Sequence, residues 1–171
     1  MKTVAMLAAA VSLCAALTGT LGCRLRGADS GISALAGDWT LTRGFGVTPP
    51  DHFETSLSAD RNRVFVRSRW EAAHDGQVGL TLVGLATPEL VLDTSGVESA
   101  AQVGPFVLRH TSRLNHGRLI TDWSTSEYMG SSYRGSWIRT VSRDGAMLTL
   151  DIDAVSGAGD ESRARLIFRR K

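Results

Sequence analysis

Lysine is nearly missing from this chain. Of 19 basic residues only Lys2 and Lys171 are lysine; the others are arginine. Cysteine is as scarce, with Cys14 and Cys23 both near the start. The rest of the chain therefore has neither a disulfide framework nor a thiolate metal site. His52, His74, His110 and His116 form no H-E-x-x-H or H-x-H pair, and no P-loop or dinucleotide-type glycine pattern occurs. Gly130-Ser131-Ser132-Tyr133-Arg134 nearly spells a nucleophile elbow, but Arg134 stands where the last glycine belongs and no helical pattern follows. The carboxylates are scattered, apart from Asp160-Glu161 beside a glycine-rich loop tip. No catalytic constellation emerges, so the chain is not expected to be an enzyme, and neither a metal nor a cofactor is expected. A net charge of +2 excludes a strongly polybasic chain, and nucleic acid is not an expected partner. Helical stripes are lacking too: the best, 94–103, is cut short by Gly96 and Gly104.

What is present begins with an address. Lys2 is followed by an uncharged run that reaches Gly22, rich in Ala, Leu, Val and Met up to Leu17. This is the basic start and apolar centre of a secretory signal. The run is also about long enough to span a bilayer as a retained anchor, although Gly19, Thr20 and Gly22 suit a cleavage site better. Gly19-Thr20-Leu21-Gly22-Cys23 resembles a bacterial lipobox, with Thr20 where the commonest form has Leu. The resemblance implies cleavage before Cys23 and a lipid anchor on it, hence an exported protein held on a membrane. Arg24, rather than Asp, after the cysteine implies the outer membrane facing the periplasm. Ala34-Leu35-Ala36 also has the A-x-A form of a cleavage site but lies far from the apolar run. The expected organisation is a signal over 1–22, a lipidated terminus and flexible tether over 23–36, and one domain over 37–171.

Beyond Gly37 the dominant pattern is alternation. Leu148, Leu150 and Ile152 alternate with Thr149, Asp151 and Asp153; Ala164, Leu166 and Phe168 alternate with Arg163, Arg165 and Arg169, interrupted by Ile167. Val64 and Val66 alternate with Arg63, Arg67 and Arg69; Phe53, Thr55 and Leu57 alternate with Glu54, Ser56 and Ser58. Trp39 with Leu41, Tyr133 with Trp137 and Val141, and Leu119 with Trp123 fit further strands, as do 78–85 and 89–93. Asp75-Gly76 and Asp144-Gly145 are hairpin signals, Asn115-His116-Gly117 suits a three-residue loop, and Asp60-Arg61-Asn62 suits a turn. The pattern predicts an all-β domain of about 8–10 strands, as an antiparallel barrel or a sandwich. A barrel leaves no exposed edge.

Gly37-Asp38-Trp39 has the G-x-W that opens the first strand of lipocalins, and Ser142-Arg143-Asp144-Gly145-Ala146-Met147-Leu148 is similar to the closing hairpin of lipocalin-like bacterial secreted domains. The resemblance implies a single up-and-down β-barrel. It also implies that a late arginine packs on Trp39 to close the barrel floor. Arg170 shares the face of Phe168 and takes that role; Arg169 is the alternative of opposite parity.

Two functional readings follow. The arginines of solvent parity form a wet β-face balanced by acids. Trp39, Phe53, Trp70, Trp123, Tyr133, Trp137 and Phe168 mostly share the apolar parity. They line a pocket for a small apolar or amphipathic ligand, or they fill the core completely. The first case is a membrane-anchored, ligand-binding lipoprotein of the cell envelope. The second is a pocketless structural lipoprotein acting through its outer face.

Overall fold

A computed structural model describes residues 29–48, 50, 52–71 and 89–171. Cys23 and the signal region, His74, Asp75-Gly76, 78–85 and the side chain of Trp70 lie outside what it describes. A short helix α1 (Asp29–Leu35) precedes ten strands: β1 (Gly37–Phe45), β2 (His52–Asp60), β3 (Arg63–Glu71), β4 (Glu89–Asp93), β5 (Ser95–Val103), β6 (Phe106–Asn115), β7 (Arg118–Thr125), β8 (Tyr133–Val141), β9 (Met147–Ser156) and β10 (Glu161–Arg170).

Alternation explains the strands. Leu148, Leu150, Ile152 and Ala154 of β9 are buried on one face, and Ala164, Leu166 and Phe168 of β10 lie beside them in register. Each large apolar side chain so buried stabilises the fold by roughly 1.5–3 kcal/mol. The turns supply the backbone that hairpins need. Asn115 pairs with Arg118, so the β6–β7 loop is the two residues His116 and Gly117, with φ of 48° and 75°. Both angles suit the turn whose twist matches a hairpin.

Every strand is antiparallel to its neighbours, in the order β4-β3-β2-β1-β10-β9-β8-β7-β6-β5. This is an up-and-down, nearly closed barrel. The first and last strands pair, with Trp39 opposite Arg170. The seam falls instead between β4 and β5, which follow one another in the chain through Thr94; among the described residues no ladder joins them.

Three expectations change. The stretch read as a tether carries α1, because Ile32 and Leu35 stand three residues apart on one helical face and both enter the core. The stretch 94–103 is mostly strand β5, held by pairing with β6 despite its poor apolar pattern. The β6–β7 loop has two residues, not three.

The α1 end of the barrel is closed by one side chain reaching four places. The Arg170 guanidinium carbon lies 4.4 Å from the Trp39 ring centroid. Its Nη1 donates to Ala36 O at 3.0 Å, Nη2 to Ala34 O at 3.1 Å and Nε to Gly145 O at 2.8 Å. Trp39 Nε1 donates to Leu35 O at 3.2 Å. The carbonyls leaving α1, which have no partner within a helix, are thus satisfied by a cation and an indole. Arg170→Ala is expected to lower stability by about 2 kcal/mol. Arg169→Ala, on the outer face, is expected to change it by under about 0.5 kcal/mol. Urea unfolding of both variants checks this, and equal effects would contradict the lock.

Candidate functional site

Three neighbouring strands build an unusual interior wall. From β6, His110 and Ser112 point inward; from β7, Thr121 and Trp123; from β8, Trp137 and Arg139, and all six are buried. Register joins them: His110 faces Trp123, Ser112 faces Thr121, Thr121 faces Trp137, and Leu119 faces Arg139. The Trp123 and Trp137 rings stack at 5.2 Å and 24°. The Arg139 guanidinium carbon lies 5.7 Å from the Trp137 ring centroid.

The hydroxyls of this wall satisfy each other, since Ser112 Oγ and Thr121 Oγ1 are 3.0 Å apart. The nitrogens do not. Arg139 Nη1, Trp137 Nε1, Trp123 Nε1 and His110 Nδ1 are buried without a hydrogen-bond partner. Among the described residues no ion pair holds Arg139, although its side chain is only 2% exposed. Burial pushes its pKa down to about 10, so the group stays cationic at neutral pH. Keeping that charge in the interior costs on the order of 3 kcal/mol. The His110 pKa is lowered by burial and, secondarily, by Arg139, with Glu98 opposing. His110 is therefore neutral at neutral pH. A fixed cation and several unpartnered N–H groups have the polarity to hold an anion; they do not form a nucleophile or a proton relay.

The aromatic residues singled out by parity fall into separate groups. Trp39 lies at the α1 end under Arg170. Phe53 and Phe168 meet edge to face at 5.3 Å, away from the Trp123–Trp137 stack. Tyr133 is half-buried at the far end, against Phe106 at 5.7 Å. Trp70 faces Phe53 in register. Sequence reasoning missed His110 and Arg139. Arg139 stands midway between Trp137 and Val141, so the alternation that placed those two inward places Arg139 there as well.

The outer face is a different surface. Arg109 pairs with Glu98 at 3.0 Å, Arg163 with Asp153 at 3.1 Å, Arg113 with Asp122 and Arg165 with Asp151. A depression of about 540 Å³ over Arg109, Asp122, Arg134 and Asp153 runs across these pairs. Among the described residues no group of three or more metal-ligating side chains assembles.

The chain matches no protein-family model and no curated protein. It does match solved structures. A secretory abundant heat soluble protein from Ramazzottius varieornatus superposes with a TM-score of 0.52 at 9% identity, over 81% of this chain and 96% of that one. A fatty acid binding protein from Schistosoma mansoni, solved in complex with arachidonic acid, superposes with a TM-score of 0.51 at 12% identity, over 82% and 98%. At such identities the likeness is one of fold, that of the lipocalin-like and fatty-acid-binding barrels.

Arg139→Met removes the buried charge and keeps much of its volume. It is expected to stabilise the ligand-free protein by about 1–3 kcal/mol in denaturant unfolding; a comparable loss would show that Arg139 has a partner of its own. Folded protein resists protonating His110 whereas the unfolded chain does not. Stability should therefore fall as pH drops below the ordinary value of 6.5. Unfolding series with and without His110→Phe check this; the variant should show the shallower acid dependence.

Proposed function

We propose that the protein binds a small amphipathic ligand inside the barrel, with its anionic head group on Arg139 and its apolar body among the interior aromatic side chains. The observation that carries this reading is the buried Arg139 guanidinium, which has no counter-ion among the described residues. An uncompensated interior charge is destabilising on its own, and an anionic ligand supplies a counter-charge that none of the described residues provides. The fold supports the reading, since the Schistosoma mansoni barrel holds arachidonic acid. The role is binding rather than catalysis.

The same reading places the barrel in the cell envelope as a lipoprotein. Residues 1–22 direct export, Cys23 carries the anchor, and the barrel faces the periplasm from the outer membrane. Its support is the Gly19–Cys23 pattern, the uncharged run before it and Arg24 after it. Two acyl chains or more at about 0.8 kcal/mol per buried methylene hold such an anchor firmly.

Two measurements test these statements. A long-chain acid should bind the full chain at least tenfold more tightly than its methyl ester, and Arg139→Met should erase that difference. Equal binding of acid and ester by the unsubstituted protein would reject Arg139 as the head-group partner. Cys23→Ser should move the protein from the membrane fraction to the soluble fraction and remove the lipid mass; an unchanged distribution and mass would reject the anchor.

A further inference from the structure

The α1 end of the barrel carries a cleft on its surface, beside the Arg170 lock. It lies between α1 and the β6–β7 and β8–β9 turns and has a volume of about 520 Å³. Its floor is apolar, made by Gly31 and Ala34 of α1 with Leu114 of β6 and Val141 of β8. Leu114 and Val141 pack against the core from its margin, so the cleft bares the end of the core. His116 and Arg143 stand on the rim, both exposed. A Cβ on Gly31 would meet Leu114 Cδ2 at 2.8 Å, so any larger residue there would push Leu114 into the floor.

The charged groups around this cleft are unequally engaged. Asp144, next to Arg143, accepts from Ser142 Oγ and from Ala146 N at 3.1 Å, and so is drawn into its own turn. Asp93 likewise accepts from Ser95 N at 2.9 Å. Arg143 has no carboxylate partner among the described residues, and neither have Arg61 and Arg118 at the neighbouring turns. His116 Nδ1 bonds Asn115 Oδ1, which fixes the ring and leaves Nε2 unpartnered among the described residues. Asp29 and Asp60 also lie at this end, so the cationic character is local to the cleft and the turns beside it. The opposite end has the other sign: its loops 126–132 and 157–161 carry Glu127, Asp160 and Glu161 and no basic residue.

We infer that this cleft docks the barrel on a membrane by taking the head group and first methylenes of an anionic phospholipid, with Arg143 and His116 on the phosphate and Ala34, Leu114 and Val141 against the methylenes. The inference rests on the Cys23 anchor proposed above. Six residues separate Cys23 from Asp29, a span of at most about 20 Å. Gly31, two residues on, already lines the cleft. An anchor on Cys23 therefore holds the cleft, rather than the acidic far loops, against the lipid surface. Strands of nine or ten residues keep those loops about 30 Å away. The link adds Arg24 and Arg26 on the same side. The size of the cleft suits a head group and not a whole lipid.

The lipidated protein is placed in phosphatidylcholine vesicles that contain a minor share of photoactivatable phosphatidylglycerol or, in a second set, photoactivatable phosphatidylcholine. Cross-linked peptides are then mapped by mass spectrometry. Peptides from α1, 114–118 and 141–146 should take up the anionic probe several-fold more than the zwitterionic one, and 126–132 should take up neither. Arg143→Ser should cut this labelling about fivefold, the usual effect of one cation at an anionic surface. Ala34→Glu, at an exposed helix position, puts a carboxylate on the floor and should abolish the preference. Arg134→Ser, an exposed arginine toward the far end, should change nothing. An excess of inorganic phosphate should compete weakly; full displacement by it would identify a free-anion site and overturn lipid docking. Equal labelling by the two probes, labelling centred on 126–132, or indifference to both cleft variants would overturn it as well. A chain without lipid mass on Cys23 would reject the anchor instead, and the same labelling with vesicles added to that chain then judges the cleft separately.

Discussion

Arg170 meeting Trp39 is the contact on which the architecture turns. The two residues lie at opposite ends of the described chain and face one another in the β1–β10 ladder. The guanidinium also holds the last carbonyls of α1 and the carbonyl of Gly145 in the β8–β9 turn. One planar cation thereby ties the helix, the first strand, the last strand and a hairpin. Its fork of donors suits that task, since a lysine could not stack on the indole and serve three carbonyls in fixed directions. Joining the ends of the chain at β1 and β10 also decides where the barrel stays open. Among the described residues the remaining sheet edges are β4 and β5, consecutive strands too tightly connected to lie in a hairpin with one another.

Closure imposes an inside on every strand, and the inside is not uniform. Toward β9, β10 and β2 it is aliphatic and aromatic, with Phe53 on Phe168 and the Leu148–Ala154 row beside them. Toward β6, β7 and β8 it carries a histidine, two hydroxyls, two indoles and an arginine. A core selected for stability alone would replace the second wall with leucine and valine. Retaining a charge that costs the folded protein several kcal/mol is the kind of local inconsistency that binding sites show.

Much of this was legible as parity. Alternation in 147–153 and 163–169 marks β9 and β10, and G-x-W with a late arginine marks the two sides of the closing contact. The aromatic residues read as inward are mostly buried. Three features were not legible for physical reasons. Only two large apolar residues, Ile32 and Leu35, mark α1, whose stability comes from packing against the barrel end rather than from a long stripe. Strand β5 has little apolar alternation because it is an edge whose outward residues are solvated. Ile120 and Ile138 face outward in register with one another, so apolar character alone misassigns the face. Arg139 is the converse: parity points it inward, whereas its charge suggests the surface. Where the two signals conflict in a closed barrel, geometry prevails, because a strand cannot turn one side chain outward without shifting all the others.

The identity of the interior cation then follows from the same physics. A lysine begins from a lower pKa than an arginine, near 10.4. A loss like the one that brings Arg139 down to about 10 would carry a lysine toward neutrality under physiological conditions. An arginine with the same burial stays charged across the whole physiological pH range. Its flat, weakly hydrated face can also lie on Trp137 while its edge remains available. Arginine therefore serves in two opposed settings of this barrel. At Arg170 it is saturated with carbonyls and holds the fold. At Arg139 it lies buried against Trp137 with Nη1 unpartnered and, among the described residues, no counter-ion.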